Sequence, residues 1–196
     1  MTEENAKQNF YREWKRISRR IRVPLGFLFA VLYFWLARPD FDSLLGSLVL
    51  VAPGLVLRGY ASGYVKKNAE LTTTGPYAYT RNPLYLGSIL IAFGFALAAR
   101  NFWIAIALVL LFVAIYMPVI YGEEEYLHAH FPGYDDYARR VPRLFPHLKV
   151  QRDVVVGSFS FELYRKHREY NSLLGSIGIY LALIVRVALW RMVQWR

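Results

Sequence analysis

The stretch Phe102–Tyr121 reads FWIAIALVLLFVAIYMPVIY, twenty residues without one charge, and it runs straight into Gly122-Glu123-Glu124-Glu125. About 20 apolar residues at about 1.5 Å each match the roughly 30 Å hydrocarbon core of a bilayer, so the stretch is expected to span a membrane as a helix. The three acids are expected at the carboxyl-terminal end of that span, where the helix dipole disfavours negative charge. They also fall at the lipid boundary, an expensive place for anions, so something cationic should compensate them. A solvated acidic helix face is the plainer alternative.

Working outward, four more apolar runs read as spans: Val23–Ala37, Leu44–Tyr60, Leu84–Ala99 and Leu173–Val193. The expected fold is therefore all-α, a polytopic integral membrane bundle of about five transmembrane helices. The 196 residues suit one membrane domain. Within it, residues 1–22 form a basic amino terminus, 44–147 the core, and 148–196 an amphipathic segment plus the fifth helix. The chain is 56% hydrophobic with a mean hydropathy of +0.23, yet its formal net charge is +10. Apolar residues in lipid and basic ones along one membrane face reconcile those values. Nucleic-acid binding is not expected, because Lys and Arg flank the apolar runs instead of forming a stripe on a soluble fold. The absence of cysteine excludes disulfides, thiolate metal sites and a cysteine nucleophile.

The basic residues orient the bundle. Residues 1–22 carry seven Lys and Arg, 61–83 carry three and 122–172 carry eight, whereas the opposite side carries only Arg38, Arg100, Arg191 and Arg196. The positive-inside rule then puts the amino terminus and both long connections in the cytoplasm and the carboxyl terminus outside. The first run is expected to be an uncleaved anchor, since no small-residue cleavage site follows it before Arg38. Pro53 and Pro118 should kink their helices. Gly59 and Gly63 form a small-xxx-small pair that would let helices approach closely. Arg58 and Arg186 stand inside spans, and Arg186 is expected either to snorkel or pair structurally or to touch a ligand.

Two segments carry chemical information. In Gly75-Pro76-Tyr77-Ala78-Tyr79-Thr80-Arg81-Asn82-Pro83-Leu84-Tyr85-Leu86-Gly87, Gly75-Pro76 marks a turn and Asn82-Pro83 opens the third span with proline at a helix start. A helix amino terminus at the membrane boundary suits a carboxylate or hydroxyls, and Gly87 one turn further in removes bulk where a ligand could approach. The plain alternative is a capped helix with interfacial tyrosines. The second segment holds Glu123-Glu124-Glu125, then Phe131-Pro132-Gly133-Tyr134-Asp135-Asp136-Tyr137, then Val141-Pro142-Arg143. His128 and His130 have an H-x-H spacing but too few companions for a metal site, and no metal is expected.

The Gly75–Gly87 run, followed by Glu123-Glu124 and Tyr137…Val141-Pro142-Arg143, resembles the isoprenylcysteine carboxyl methyltransferase family, which is related to the phospholipid N-methyltransferases. The similarity covers about residues 44–147. It implies an S-adenosylmethionine site formed by an Arg-His-Pro segment and a paired Glu motif, here Arg81-Asn82-Pro83 and Glu123-Glu124. Asn82 replaces the family's histidine; it can donate and accept hydrogen bonds like neutral imidazole but cannot titrate near neutral pH. By resemblance, Glu123 or Glu124 meets the cationic part of the donor and Arg81 or Arg143 meets its carboxylate. Tyr79, Tyr85 and Gly87 line the adenosyl groove. Arg81, Glu124 and Arg143 are the implied catalytic residues.

The implied reaction is methyl transfer to a lipophilic or lipidated acceptor, with a carboxylate preferred because no titratable base stands beside Asn82 to take a proton from an amine. Membrane lipids are the expected surroundings. Residues Lys149–Asn171 pattern as an amphipathic interfacial stretch that would guide a lipid substrate into the bundle. Two other readings compete. One is an NADPH-dependent membrane reductase resembling the sterol reductases, which needs a richer basic cluster than Arg81 and Arg143. The other is a non-catalytic membrane scaffold, for which Asn82 is the best support.

Overall fold

The computed structural model describes residues 24–66, 69–147 and 157–194. The basic amino terminus, Lys67 and the first part of the expected amphipathic stretch lie outside the described residues. Among those described, every regular element is helical. The order is α1 (Pro24–Leu36), α2 (Phe41–Ser62), a 3₁₀ turn (Gly75–Ala78), α3 (Pro83–Ala99), α4 (Phe102–Leu111), a π-turn (Phe112–Tyr116), α5 (Met117–His130), α6 (Tyr134–Arg140), α7 (Phe161–Lys166) and α8 (Tyr170–Gln194).

Local chemistry fixes the helix starts. Asp40 and Ser43 form a capping box, Ser43 N–H donating to Asp40 Oδ1 at 2.8 Å and Asp40 N–H to Ser43 Oγ at 3.0 Å, which draws α2 back to Phe41. Asn101 caps α4 through Trp103 N–H at 2.9 Å. Pro83 opens α3, where its missing N–H is harmless.

The five apolar runs become five apolar helices. Three, Phe41–Ser62, Phe102–His130 and Tyr170–Trp190, are long and apolar enough to cross a membrane, while Pro24–Leu36 and Pro83–Ala99 are shorter. The first is two residues shorter at its described ends than the pattern suggested. At 13 residues it rises only about 20 Å. Integral membrane residence follows from the long helices. The α1–α2 and α3–α4 turns meet at one end of the bundle, where Arg38 N–H donates to Ala99 O at 2.9 Å and Arg100 pairs with Asp40. The 75–82 and 141–147 segments meet at the other.

The acids do not end their helix. Phe102–His130 is one continuous helix, widened into a π-turn just before Pro118, which has no N–H to give the ladder. Glu123–Glu125 stand two turns short of its carboxyl end, so the dipole argument does not apply to them.

Antiparallel α2 and α3 make the tightest contact, and the glycines responsible are not the expected pair. A Cβ on Gly54 would meet Gly87 O at 2.8 Å, and one on Gly94 would meet Val51 Cγ2 at 2.5 Å and Ser47 O at 3.0 Å. Gly59 and Gly63 instead face residues 159–164: a Cβ on Gly63 would strike the Phe159 ring at 2.2 Å, and one on Gly59 would lie 3.5 Å from Tyr164. Phe159 stacks on Tyr60 at 5.9 Å, so this segment is docked on the end of α2 and only α7 is helical within it.

The main core joins Tyr33, Leu44, Val51, Phe95, Ile104, Leu183 and Val187 from α1, α2, α3, α4 and α8. Polar groups inside it are paired, as hydrocarbon demands: Tyr33 OH donates to Phe95 O at 2.9 Å, and Ser47 Oγ is 2.7 Å from Tyr180 OH. Arg186 Nη2 donates to Trp35 O at 3.2 Å, serving a carbonyl at the end of α1.

Candidate functional site

The loop 141–147 is stitched to the approach of α3. Arg81 N–H donates to Pro142 O at 2.9 Å, Thr80 Oγ1 to Leu144 O at 2.9 Å, and His147 N–H to Tyr79 O at 3.1 Å. Asn82 occupies the cap position of α3, yet its side chain does not cap. Its Nδ2 donates instead to Arg143 O at 3.0 Å and Glu124 Oε1 at 3.3 Å. Asn82 thereby ties α3, α5 and the 141–147 loop together.

Glu124 is the centre of this cluster. It is 8% exposed, and Arg143 holds its Oε2 through Nε at 2.9 Å and Nη2 at 2.8 Å. Arg81 Nη1 lies 3.5 Å from its Oε1 and donates to Tyr134 OH at 3.1 Å. Arg143 also lies over the Tyr121 ring, 4.3 Å from its centroid. The hydrogen bond to Glu124 raises the Arg143 value further above its ordinary one. Burial pushes the phenols of Tyr77, Tyr134 and Tyr137 up, and Tyr137 OH donates to Tyr77 O at 2.7 Å.

Two arginines against one carboxylate leave this cluster with a formal charge of +1. The resemblance assigns the donor's cationic part to Glu123 or Glu124, and the oxygens of Glu124 are already engaged by Arg81, Asn82 and Arg143. Glu123 is the available acid. Successive residues on a helix turn by about 100°, so Glu123 points elsewhere and accepts from Tyr85 OH at 3.0 Å.

Both acids and Arg81 border a cavity of about 710 Å³, a size that suits a cofactor. Asn82, Pro83, Tyr85, Tyr134 and Tyr137 share its wall. Three predicted site residues do not. Arg143 stands behind Glu124. Tyr79 is 39% exposed and contributes its carbonyl to the loop. Gly87 packs on α2, where a Cβ would meet Arg58 Cγ at 2.5 Å, so its missing bulk admits a helix and not a ligand.

The sequence reading passed over Arg58, Ser88, Tyr116 and the pair Tyr134 and Tyr137, all on the cavity wall. For Arg58 the signal was present, a charge within an apolar run. Tyr134 and Tyr137 stood in the second informative segment without being assigned to the site, and no such signal marks Ser88 or Tyr116. A second, open depression of about 770 Å³ lies beside α7 at Phe161, Arg165, Lys166 and Tyr170, apart from the clustered acids and arginines. His128 pairs with Asp135 at 3.1 Å and His130 with Tyr126 O at 2.9 Å. Among the described residues no three His, Cys, Asp or Glu side chains group as a metal site.

Arg81 Nε is buried and has no hydrogen-bond partner among the described residues. Leaving that N–H without an acceptor is costly. The cavity wall offers the guanidinium charge of Arg81 and the carboxylate of Glu123.

Residues 49–133 match the phospholipid methyltransferase family. The nickel-cobalt-cadmium resistance protein NccN of Alcaligenes xylosoxydans xylosoxydans is 40% identical over 109 residues, 53% of this chain and 50% of that protein. The cobalt-zinc-cadmium resistance protein CzcN of Cupriavidus metallidurans is 34% identical over 140 residues, 67% of this chain and 64% of that protein. The chain thus matches between half and two thirds of the length of these relatives. No solved structure matches. The family match supports a membrane methyltransferase, and with it a methyl donor of the S-adenosylmethionine kind. The matched residues 49–133 carry α3, both acids and most of the cavity wall, so the resemblance to the phospholipid methyltransferases falls on the segment that builds the site.

Proposed function

We propose that this chain transfers a methyl group from S-adenosylmethionine to a lipophilic acceptor, most readily a carboxylate. The observation that carries the reading is that the Arg81 guanidinium and the Glu123 carboxylate border one cavity, within the matched segment. S-adenosylmethionine, when bound, supplies an electrophilic methyl on a sulfonium cation and an amino-acid tail with both charges. The Arg81 guanidinium would meet the tail's carboxylate. Glu123 would face positive charge, with Tyr85 OH fixing its carboxylate. Glu124 would act as a positioning residue, holding Arg81 and Arg143 in place.

Orientation of this kind supplies much of the catalysis in a transfer reaction. An acceptor carboxylate oxygen gains the methyl, the carbon–sulfur bond breaks onto sulfur, and no proton has to leave. That balance suits a wall where Asn82 cannot act as a base. We also propose that the site end of the bundle is cytoplasmic, since the positive-inside count of 18 basic residues against 4 assigns the amino terminus and both long connections to that side, and donor is made in the cytosol. The relatives' names link similar chains to nickel, cobalt, zinc and cadmium resistance. Methylation of a membrane component is the chemistry this chain would bring to such a system.

The test is calorimetric titration of the purified protein with S-adenosylmethionine, S-adenosylhomocysteine and NADPH. Micromolar binding of the two sulfur ligands without NADPH is the expected result. NADPH binding alone would replace this reading with a reductase.

A further inference from the structure

Arg58 stands within α2, four residues before its end at Ser62, in a helix otherwise free of basic residues. Its Nε donates to Glu169 Oε1 at 2.5 Å, and its Nη1 to Leu84 O at 3.2 Å and to Ser88 Oγ. Glu169 is 8% exposed and accepts a second hydrogen bond from Ser172 Oγ at 2.8 Å. The pair joins α2, α3 and the start of α8, and it is neutral, which explains how an arginine is tolerated at this depth. Nη2 takes part in none of these contacts. The side chain is 22% exposed, and Arg58 and Ser88 both border the cavity.

The cavity is graded in depth. Arg81 precedes α3, whereas Arg58 touches α3 at Leu84 and Ser88, one turn further along. Tyr116, from the apolar run 102–121, meets Tyr85 at 5.9 Å on the facing wall. Two guanidiniums thus border one cavity, Arg81 ahead of α3 and Arg58 along its first turns among the apolar helices.

We propose that Arg58 Nη2 is the acceptor subsite: it receives the carboxylate of a lipid whose chain lies between the apolar helices, while Glu169 holds the guanidinium in place and balances its charge when no lipid is bound. The inference rests on the methyltransferase reading for its sense but not for its test. A guanidinium already fixed by three contacts presents its remaining edge without further ordering, and charge-assisted bonds favour a carboxylate over a hydroxyl.

The experiment titrates palmitate, hexadecanol and acetate into the full-length protein in uncharged maltoside micelles, with S-adenosylhomocysteine titrated separately. Palmitate should bind about tenfold or more tighter than hexadecanol, and acetate should not bind measurably. The double variant R58Q/E169Q keeps a hydrogen-bonding pair without an unpaired buried charge. It should lose the preference for palmitate while S-adenosylhomocysteine binding stays within about twofold. E169Q removes only the counter-charge and should tighten palmitate binding, whereas a purely structural pair predicts weakening. A double variant that still prefers palmitate, one that loses S-adenosylhomocysteine in parallel, or acetate binding as tight as palmitate would each overturn the subsite. Wild-type protein that binds palmitate in this Arg58-dependent way but no S-adenosylhomocysteine would sink the donor reading and leave the subsite standing.

Discussion

Arg143 and Glu124, nineteen residues apart, are joined twice through one oxygen, Nε at 2.9 Å and Nη2 at 2.8 Å from Oε2. That contact holds the 141–147 loop on the helix that carries the acids, and it leaves Glu124 Oε1 for Asn82 and Arg81. The site is thus organised around a carboxylate with no valence to spare for a ligand.

Glu124→Gln should cost stability as well as binding. Removing a charge that serves two arginines, one of them largely buried, is worth about 3 kcal/mol. A lower thermal midpoint together with lost S-adenosylhomocysteine affinity is the expected pair of results. Unchanged values of both would contradict the arrangement.

Glu123→Gln should separate the two effects. Glu123 is exposed and accepts a hydrogen bond from the Tyr85 hydroxyl. The fold should keep its thermal midpoint, while affinity for a cationic donor drops about tenfold. Titration calorimetry beside thermal unfolding checks both halves.

Asn82→Asp puts an anion 3.3 Å from Glu124 and against the Arg143 carbonyl, replacing a donor with a second acceptor. A loss of about 2–4 kcal/mol is expected. Asn82→His should instead introduce a pH dependence of donor affinity near neutrality that the natural residue cannot produce. A flat profile in that variant would place the ring out of the Glu124 contact.

Alkaline stability should follow the buried phenols. Burial raises Tyr77, Tyr134 and Tyr137 above the ordinary value near 10, so the folded chain favours their neutral forms. That contribution is complete below about pH 10 and is lost as pH rises beyond it. Absorbance titration at alkaline pH should show these rings ionising only with unfolding. Tyr137→Phe, which removes the bond to Tyr77 O, should cost about 1–2 kcal/mol at neutral pH.

Gly54→Ala should force α2 from α3, because its Cβ would lie 2.8 Å from a backbone oxygen. A cost of about 1–3 kcal/mol is expected. Gly46→Ala in the same helix meets nothing within 4 Å and should be neutral or slightly stabilising. Equal effects at the two positions would remove the close-packing account.

The features legible in the sequence were local ones. Apolar runs located the helices, Gly75-Pro76 and Asn82-Pro83 located the turn and the start of α3, and adjacent acids marked α5. What escaped depended on partners far along the chain. Arg58 was visible as a charge, but Glu169, 111 residues away, was not visible as its partner. Gly87 announced missing bulk without saying on which face, and the face belongs to α2. Glu124 was visible as an acid, but the two arginines that occupy it arrive from separate loops. The end of the spanning helix was misplaced because charge marks the limit of lipid, and a helix stops only where its backbone does.

That last point has a mechanical side. Phe102–His130 is 29 residues, about 43 Å of helix, against a hydrocarbon core of about 30 Å. Tyr116 in the apolar part and Glu123 at the mouth of the cavity ride on the same rod, and the clustered arginines hold the Glu124 side of it to α3. A host bilayer that is thinner or thicker relieves hydrophobic mismatch by changing helix tilt. Such a tilt carries Glu123, Glu124 and the arginines tied to it together, so the acyl-chain length of the surrounding lipid would set how deep the cavity sits below the membrane surface.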